Sequence, residues 1–444
     1  MTFGQIKSII ENNLLESYRN EQEFKKSLKE FKHNVLSNKN MSKLYSLYDQ
    51  LTTPQGLTEN DAKDFLDEGI HLIQKLIPTI KTPKTVNENI ENKNETKILH
   101  LGDSHIMIGN FSNEIRRLFD SVFTVKSYGW SFPNQIGRFN TFYTTSKLIS
   151  GKTSFANNLQ TEKNYLNGIS GQSIQFLDTK TEIEFSLKNL PANFLYFNKL
   201  KILYQTDSLI NMTLTVSDTT NKYTVKVDTM TNQRANTIYY TKNERVTEFS
   251  FNNNYNKLKL SVEKRDSSSL FNLLGIYLEN TNNKGVVYSS LGVGGSSLYS
   301  ITNNNSLLLN DINIYQPDLI ILSFGSNDAY NKSFDSVKYK SKLESFIDSI
   351  VKKQPNVSIL LTSPPDSRSK NREPVSIEKI QEVFSIIAEK HPNVAYWDLR
   401  SIMGGKNSIH EWLTLKLAAT DKLHYTKAGY ELQAQLLIKA LIKN

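Results

Sequence analysis

Four short stretches of this chain combine the residue types that acyl chemistry needs. Gly102-Asp103-Ser104-His105 puts a serine directly after the apolar run Ile98 to Leu101. A serine between a strand and a helix has its hydroxyl exposed. Its amide lies near a positive helix N-terminus, where an oxyanion is stabilised. Gly292-Val293-Gly294-Gly295 follows a second apolar run, and glycine lets a backbone N–H face a ligand without a Cβ in the way. Gly325-Ser326-Asn327-Asp328 follows a third, Leu319 to Ser323, and an Asn amide there can donate to an oxyanion. Asp421-Lys422-Leu423-His424 precedes a helical stretch starting near Thr426. An acid at that spacing can hold one imidazole nitrogen while the other faces a serine. Each stretch alone also reads as a turn or a helix cap. Taken in this order, they supply a nucleophile, a base, an orienter and three oxyanion donors.

Rival chemistries have less to stand on. There is no GxSxG elbow, no Walker A pattern and no HExxH. The chain has no cysteine, which excludes a disulfide scaffold, thiolate zinc sites and a Cys nucleophile. His100 and His105 flank the serine, but neither forms a metal-ligand set with Asp103. His105 is assigned a packing or substrate-edge role instead. Trp130, Phe132 and Trp397 could line a sugar site, and Trp130, inside the phrase YGWSFP at 128–133, reads equally as substrate contact or core. No metal or organic cofactor is expected.

The elements that must position these residues are legible from periodicity. Residues 1–78 read as helices, with Phe24, Leu28, Phe31 and Leu36 near helical spacing. Residues 79–96 are polar with Pro83 inside them and read as a linker. Over 97–152 and again over 285–444, strand-like runs such as DLIILSF and VSILLT are interleaved with helical patterns, including 335–353, 376–391 and 426–443. That alternation predicts a parallel-sheet α/β domain, whose ligands sit at the C-terminal ends of the strands. Between its halves, 153–284 carries segments such as TEIEFSL, MTLTVSD and KLKLSVE with period-2 alternation and turns between them, which predicts a separately folded β-sandwich insertion.

Composition bounds the rest. Lys plus Arg is 53 against 44 Asp plus Glu, a net charge of +9, yet no basic run of five or more occurs. A diffuse excess of this kind fits a solvated surface or an anionic polymer better than a nucleic-acid footprint, so no nucleic-acid partner is expected. No apolar run approaches the ~18 residues of a transmembrane helix. The first residues show no signal-peptide pattern.

GDSH, the glycine of GVGG, GSND and DKLH together resemble the four blocks of the SGNH (GDSL) hydrolase superfamily. The β-rich insertion, GDSH in place of the commoner GDSL, and YGWSFP resemble its peptidoglycan O-acetylesterase branch, whose insertion is similar to a carbohydrate-binding module. The resemblance implies a flavodoxin-like α/β fold with helices on both faces of the sheet. It also implies a serine esterase that removes O-acetyl groups from a glycan, most readily peptidoglycan, in the periplasm or at the cell surface. By position, Ser104 is the nucleophile, His424 the base and Asp421 its orienter. The amides of Ser104 and Gly295 and the side chain of Asn327 form the oxyanion hole. The branch usually has Asn where this chain has Gly294, which makes Gly294 the other candidate for the backbone donor. Two alternatives keep the same fold: a glycan O-acetyltransferase using the same triad, and a non-catalytic glycan-binding surface protein.

Overall fold

The computed structural model describes residues 95–441 except 123–124, 138, 140, 142, 161–166, 191, 221, 229–237, 240–245, 282–284, 304–306 and 370–371. The helices expected over 1–78 therefore lie outside the described residues, as does the expected linker apart from its last two residues. Those two, Glu95 and Thr96, already belong to the first strand. The described chain divides into two compact units. One comprises Pro364–Pro374 and the chain from Trp397 onward, and the other runs up to Ser363 and takes in Val375–Tyr396.

The larger unit is built on a sheet of six strands. These are β1 (Glu95–Gly102), β2 (Val125–Ser127), β3 (Gly285–Gly292), β4 (Leu319–Ser323), β5 (Ser358–Thr362) and β6 (Val394–Trp397), in the order β6-β5-β4-β1-β3-β2. The pairings β1–β3, β1–β4, β4–β5 and β3–β2 are all parallel. The strands are buried almost end to end, β5 at every position, as expected where both faces of a parallel sheet are covered. The helices of its α/β part are α1 (Ser104–Met107), α2 (Asn110–Val122), α3 (Leu298–Asn303), α4 (Leu308–Tyr315), α5 (Ser326–Ala329), α6 (Ser336–Lys353) and α7 (Ile377–Lys390). Helix α6 buries Tyr339, Leu343, Phe346, Ile347 and Ile350, one stripe at helical spacing. That stripe packs into one core with Leu99, Leu101, Ile320, Leu322, Ile359 and Leu361 of the strands.

Register is what matters for function. In β1, Gly102 stands opposite Gly292 of β3 on one side and Ser323 of β4 on the other. The strands thus end side by side, and the first three chemistry-bearing blocks begin at neighbouring strand ends.

The β-rich stretch forms two antiparallel sheets. The five-stranded one has Lys222–Asp228, Ile210–Ser217, Lys257–Lys264, Lys180–Leu187 and Thr144–Ser150 in that order. The other is centred on Phe197–Thr206 and Phe271–Glu279, and Gly129–Ser131 pairs onto the latter. Inward residues alternate along each strand, and Phe185, Leu214 and Leu260 of one sheet share a core with Ile202, Phe271 and Leu278 of the other. Two features differ from the expectation of a separate sandwich starting at 153. The first strand is Thr144–Ser150, held by antiparallel pairing to Lys180–Leu187. The sandwich is also not separate: its Leu203, Val246, Leu274 and Tyr277 lie in the same core as the α/β residues. A hydrophobic sheet face must be buried, and here the outer face of one sheet is buried against the α/β core.

The smaller unit carries α8 (Leu399–Ile402), α9 (Ser408–Thr414) and α10 (Lys427–Leu441). Inside it, Asp366, 4% exposed, accepts from Arg400 Nε at 3.1 Å and from the Ile409 amide at 3.1 Å.

Candidate active site

Strand β1 delivers Ser104 into a single helical turn. Asp103 caps that turn: its Oδ1 accepts from the His105 amide at 3.0 Å, and its carbonyl accepts from the Ile106 and Met107 amides at 3.2 and 3.0 Å. Ser104 itself is partly exposed at the start of α1. The tight seat of this turn explains the glycines around it. A Cβ on Gly292 would collide with the Met107 backbone nitrogen and stand 2.6 Å from the Asp103 carbonyl oxygen. Only glycine lets β3 end that close to α1.

The third block faces the first. Asn327, in the first turn of α5, donates through Nδ2 to the Ser296 carbonyl at 2.8 Å and to Asp103 Oδ2 at 3.3 Å. The residue before the serine and the residue after the second block therefore hold this amide between them. Next to it, the Asp328 carboxyl accepts from the Leu298 amide at 3.2 Å. Burial pushes Asp328 up to about 7, against the hydrogen bonds from the Leu298 and Asp328 amides, and the nearby Asp103 charge adds to the rise. A Cβ built on Gly294 would stand 4.0 Å from the Ser104 Cβ, whereas one on Gly295 would have no Ser104 atom within 4 Å. Gly295 follows, exposed, with φ of +85°.

A second polar construction fixes the strand ends from beneath. His100, fully buried in β1, shares hydrogen bonds of 2.6 Å with the Tyr288 hydroxyl and 2.6 Å with Ser323 Oγ, and Ser323 Oγ lies 2.7 Å from Thr362 Oγ1. Burial, with the Arg116 charge adding to it, pushes His100 down to about 3, so the ring is a neutral strut across β3, β1, β4 and β5.

In the smaller unit, Asp421 and His424 form a pair within one turn. Asp421 Oδ1 accepts from the amides of Leu423 and His424, both at 2.9 Å, and His424 Nδ1–H donates to Oδ2 at 2.7 Å. The Asp-x-x-His spacing works because one carboxylate both closes the turn and holds the ring. Burial opposes ionisation of Asp421. The His424 ring and the two amides outweigh it and hold the carboxyl below its usual range. With Nδ1–H committed to Asp421, Nε2 is the basic nitrogen. The turn is anchored on both sides: the Arg368 amide donates to the Lys422 carbonyl at 2.7 Å, and the Tyr425 hydroxyl donates to the Asp366 carbonyl at 2.6 Å.

Comparison with known proteins now decides the class. Residues 239–437 match the family of GDSL-like lipases and acylhydrolases. This match and the shared fold make the α/β part resemble an SGNH hydrolase domain. Its enzyme class is carboxylic ester hydrolase. A solved structure titled as a peptidoglycan O-acetylesterase in action is 19% identical, with a TM-score of 0.63, covering 81% of this chain and 95% of its own. The shared fold therefore extends over both the α/β part and the sandwich. A family two carbohydrate esterase from Cellvibrio japonicus is 14% identical at a TM-score of 0.27, covering 67% of this chain and 98% of its own. No curated protein sequence matches.

The residues singled out from the sequence divide between the two units. Ser104, Gly294, Gly295 and Asn327 stand at adjacent strand ends of the larger unit, and Asp421 and His424 pair within the smaller. His105 is buried at 9% exposure beside the serine. Trp130, open between substrate contact and core in the sequence, is buried: it is 2% exposed, with Tyr277 and Tyr315 against its ring at 5.2 and 6.2 Å between centroids. A sugar cannot stack on a covered face. Phe132 and Trp397 are buried likewise, each 1% exposed. Sequence reasoning missed Asp103 as the clamp on Asn327, and Asp366 with Tyr425 as anchors of the histidine turn. The signal for Asp103 was its place between glycine and serine; for Asp366 there was none. Among the described residues, no group of three or more His, Asp or Glu is gathered to hold a metal, and no helix is long and apolar enough to cross a membrane.

Proposed function

We propose that Ser104, His424 and Asp421 act as a catalytic triad that removes O-acetyl groups from a glycan, with peptidoglycan as the substrate. What carries this reading is the Asp421–His424 pair of the smaller unit, a ready-made base with its orienter and basic Nε2; in the larger unit the nucleophile candidate sits at a strand end. His424 Nε2 takes the Ser104 proton as Oγ attacks the ester carbonyl. The Ser104 and Gly295 amides and the Asn327 side chain hold the oxyanion, each worth roughly 2.7–4 kcal/mol of barrier. Gly294, whose built Cβ would stand 4.0 Å from the Ser104 Cβ, is the alternative to Gly295 as backbone donor. Asn327 has both amide hydrogens engaged at rest. The longer bond, to Asp103, is the one that gives way to the oxyanion, consistent with apo-state catalytic bonds that tighten only on reaction. His424 then returns its proton to the sugar oxygen, which leaves. The acetyl-serine is cleared by a water that His424 activates, releasing acetate.

Peptidoglycan is favoured because the solved structure sharing this fold across the sandwich is titled as a peptidoglycan O-acetylesterase. The sandwich supplies polymer contacts, and the periplasm or cell surface is the matching location. The test is acetate release from O-acetylated peptidoglycan compared with acetylated xylan, using wild type and Ser104→Ala. The expected result is release from peptidoglycan that Ser104→Ala abolishes. Preference for xylan would move the substrate, and release by Ser104→Ala would remove the mechanism.

A further inference from the structure

Behind helix α1 lies a small pocket that the acyl chemistry does not use. Its polar wall includes Arg116, Tyr128, Asn134, Tyr143, Gln172 and Ser290, and Met107 and Phe132 add apolar surface. Tyr128 and Phe132 come from the YGWSFP phrase, so the pocket absorbs a motif to which the triad gives no task.

Arg116 is the charged residue of this wall, and no Asp or Glu lines the pocket. The side chain is 1% exposed. Its Nη1 donates to Asn113 Oδ1 at 2.9 Å, and its Nη2 donates to the Tyr288 carbonyl at 3.2 Å and to Ser290 Oγ at 3.0 Å. The guanidinium lies over the Tyr128 ring at 4.1 Å and the Tyr288 ring at 5.2 Å. All of these partners are neutral. Glu114 on its own helix is taken by Arg117 through bonds of 2.6 and 2.7 Å. Arg116 Nε is buried without a hydrogen-bond partner, as are Asn134 Oδ1 and Gln172 Oε1 across the same pocket. The positive charge reaches beyond the pocket: after burial, it is the second cause holding His100 neutral.

A buried charge is ordinarily paired, and a planar guanidinium matches a carboxylate in geometry. Side-chain amides can present either their N–H2 or their oxygen to a ligand. The pocket therefore offers one cation without an ionic partner in its lining, several hydroxyls, two adaptable amides, a small apolar patch and no anion of its own. We propose that it is a binding site for a small carboxylate, held as the counter-ion of Arg116. Two sources share that chemistry: the free acid that ester hydrolysis releases, and the acid group of a sugar in the glycan. The proposal does not need the triad, because binding is measured without turnover.

The test is calorimetric titration of the full chain with sodium acetate at constant ionic strength balanced by sodium chloride. Acetamide serves as the neutral isostere and glucuronate as the acid-bearing sugar. Acetate is expected to bind saturably, at least about tenfold more tightly than acetamide. Arg116→Gln should weaken acetate by at least about tenfold. Because that change empties a buried position, Gln172→Glu is the second variant. It places a carboxylate in the pocket wall with no change of shape, and it should abolish acetate binding while leaving the melting temperature the same or higher. Glucuronate binding alongside acetate supports the glycan's acid group as the ligand, and acetate alone supports the released acid. Absence of saturable acetate binding, acetamide binding as tightly as acetate, or unchanged binding in folded Gln172→Glu would overturn the site.

Discussion

At the scale of single residues, two groups test the chemistry separately. On the proposed triad, Asp421→Asn leaves the turn closed but presents the wrong partner to Nδ1, and turnover of p-nitrophenyl acetate should fall roughly 10²–10⁴-fold with the circular dichroism spectrum unchanged. Full activity would hand the orienting role to another group. Asn327→Ala should lower turnover about 10²–10³-fold with little change in Michaelis constant, since the donor acts mainly in the transition state. A raised Michaelis constant at unchanged turnover would make Asn327 a substrate-binding residue. Asp328 gives a pH signature. Its carboxyl is pushed up to about 7, chiefly by burial, so the folded state prefers the protonated form. A raised carboxyl contributes stability below its unfolded value of 3.8 and loses it as pH rises to about 7. Asp328→Asn keeps an acceptor for the Leu298 amide and cannot ionise. It should therefore stabilise the protein on the order of 1–4 kcal/mol at pH 8 and hardly at all near pH 4, as read from thermal melts. Equal effects at both pH values would refute the assignment.

At the scale of elements, the strand ends place the chemistry, and glycine sets how closely they approach. Gly292→Ala pushes a methyl into the backbone of α1, which must move, and a displacement of about 1 Å at a nucleophile costs on the order of 10² in rate. Gly294→Ala meets the Met107 methyl at 3.2 Å, a flexible side-chain tip that can yield, and reaches the Ser104 Cβ only at an ordinary van der Waals distance of 4.0 Å. The prediction is a large loss of turnover for the first and a small one for the second; the reverse order would mean that α1 is not the rigid seat. The sequence was readable here because the blocks are local: Ile98 to Leu101 reads as a buried strand, and the turn residues follow it directly. The Asp421 turn was readable for the same reason, its carboxylate and ring being three residues apart. The clamp from Asp103 to Asn327 joins residues more than two hundred positions apart, and no periodicity carries that information. Trp130 was undecidable from the chain alone, since an aromatic in a short strand looks the same whether it faces solvent or Tyr277.

At the scale of the whole molecule, the α/β domain and the sandwich are one construction. Period-2 alternation located the sandwich strands but could not say what their outer faces meet. Leu203, Val246, Leu274 and Tyr277 answer that by joining the α/β core. Replacing 153–284 with a short Gly/Ser linker would withdraw all four from that core. At ~2–5 kcal/mol for each large buried side chain lost, the sum exceeds a typical domain stability of 5–15 kcal/mol or comes close to it. The deletion variant is expected to lose its cooperative thermal transition and become sensitive to protease. A variant that still melts cooperatively near the wild-type temperature would show that the sandwich is an independent module after all.

The central claim is that Ser104 carries the acyl group and that His424 activates it, and it reduces to one measurement. The full chain is mixed with p-nitrophenyl acetate, quenched in acid within the first turnovers, and digested for mass spectrometry, in parallel with His424→Ala. The account predicts an acetyl group on the peptide bearing Ser104, on the hydroxyl of that residue, with labelling slowed by orders of magnitude in the variant. Acetylation at another residue, or equally fast labelling of Ser104 without His424, would contradict it.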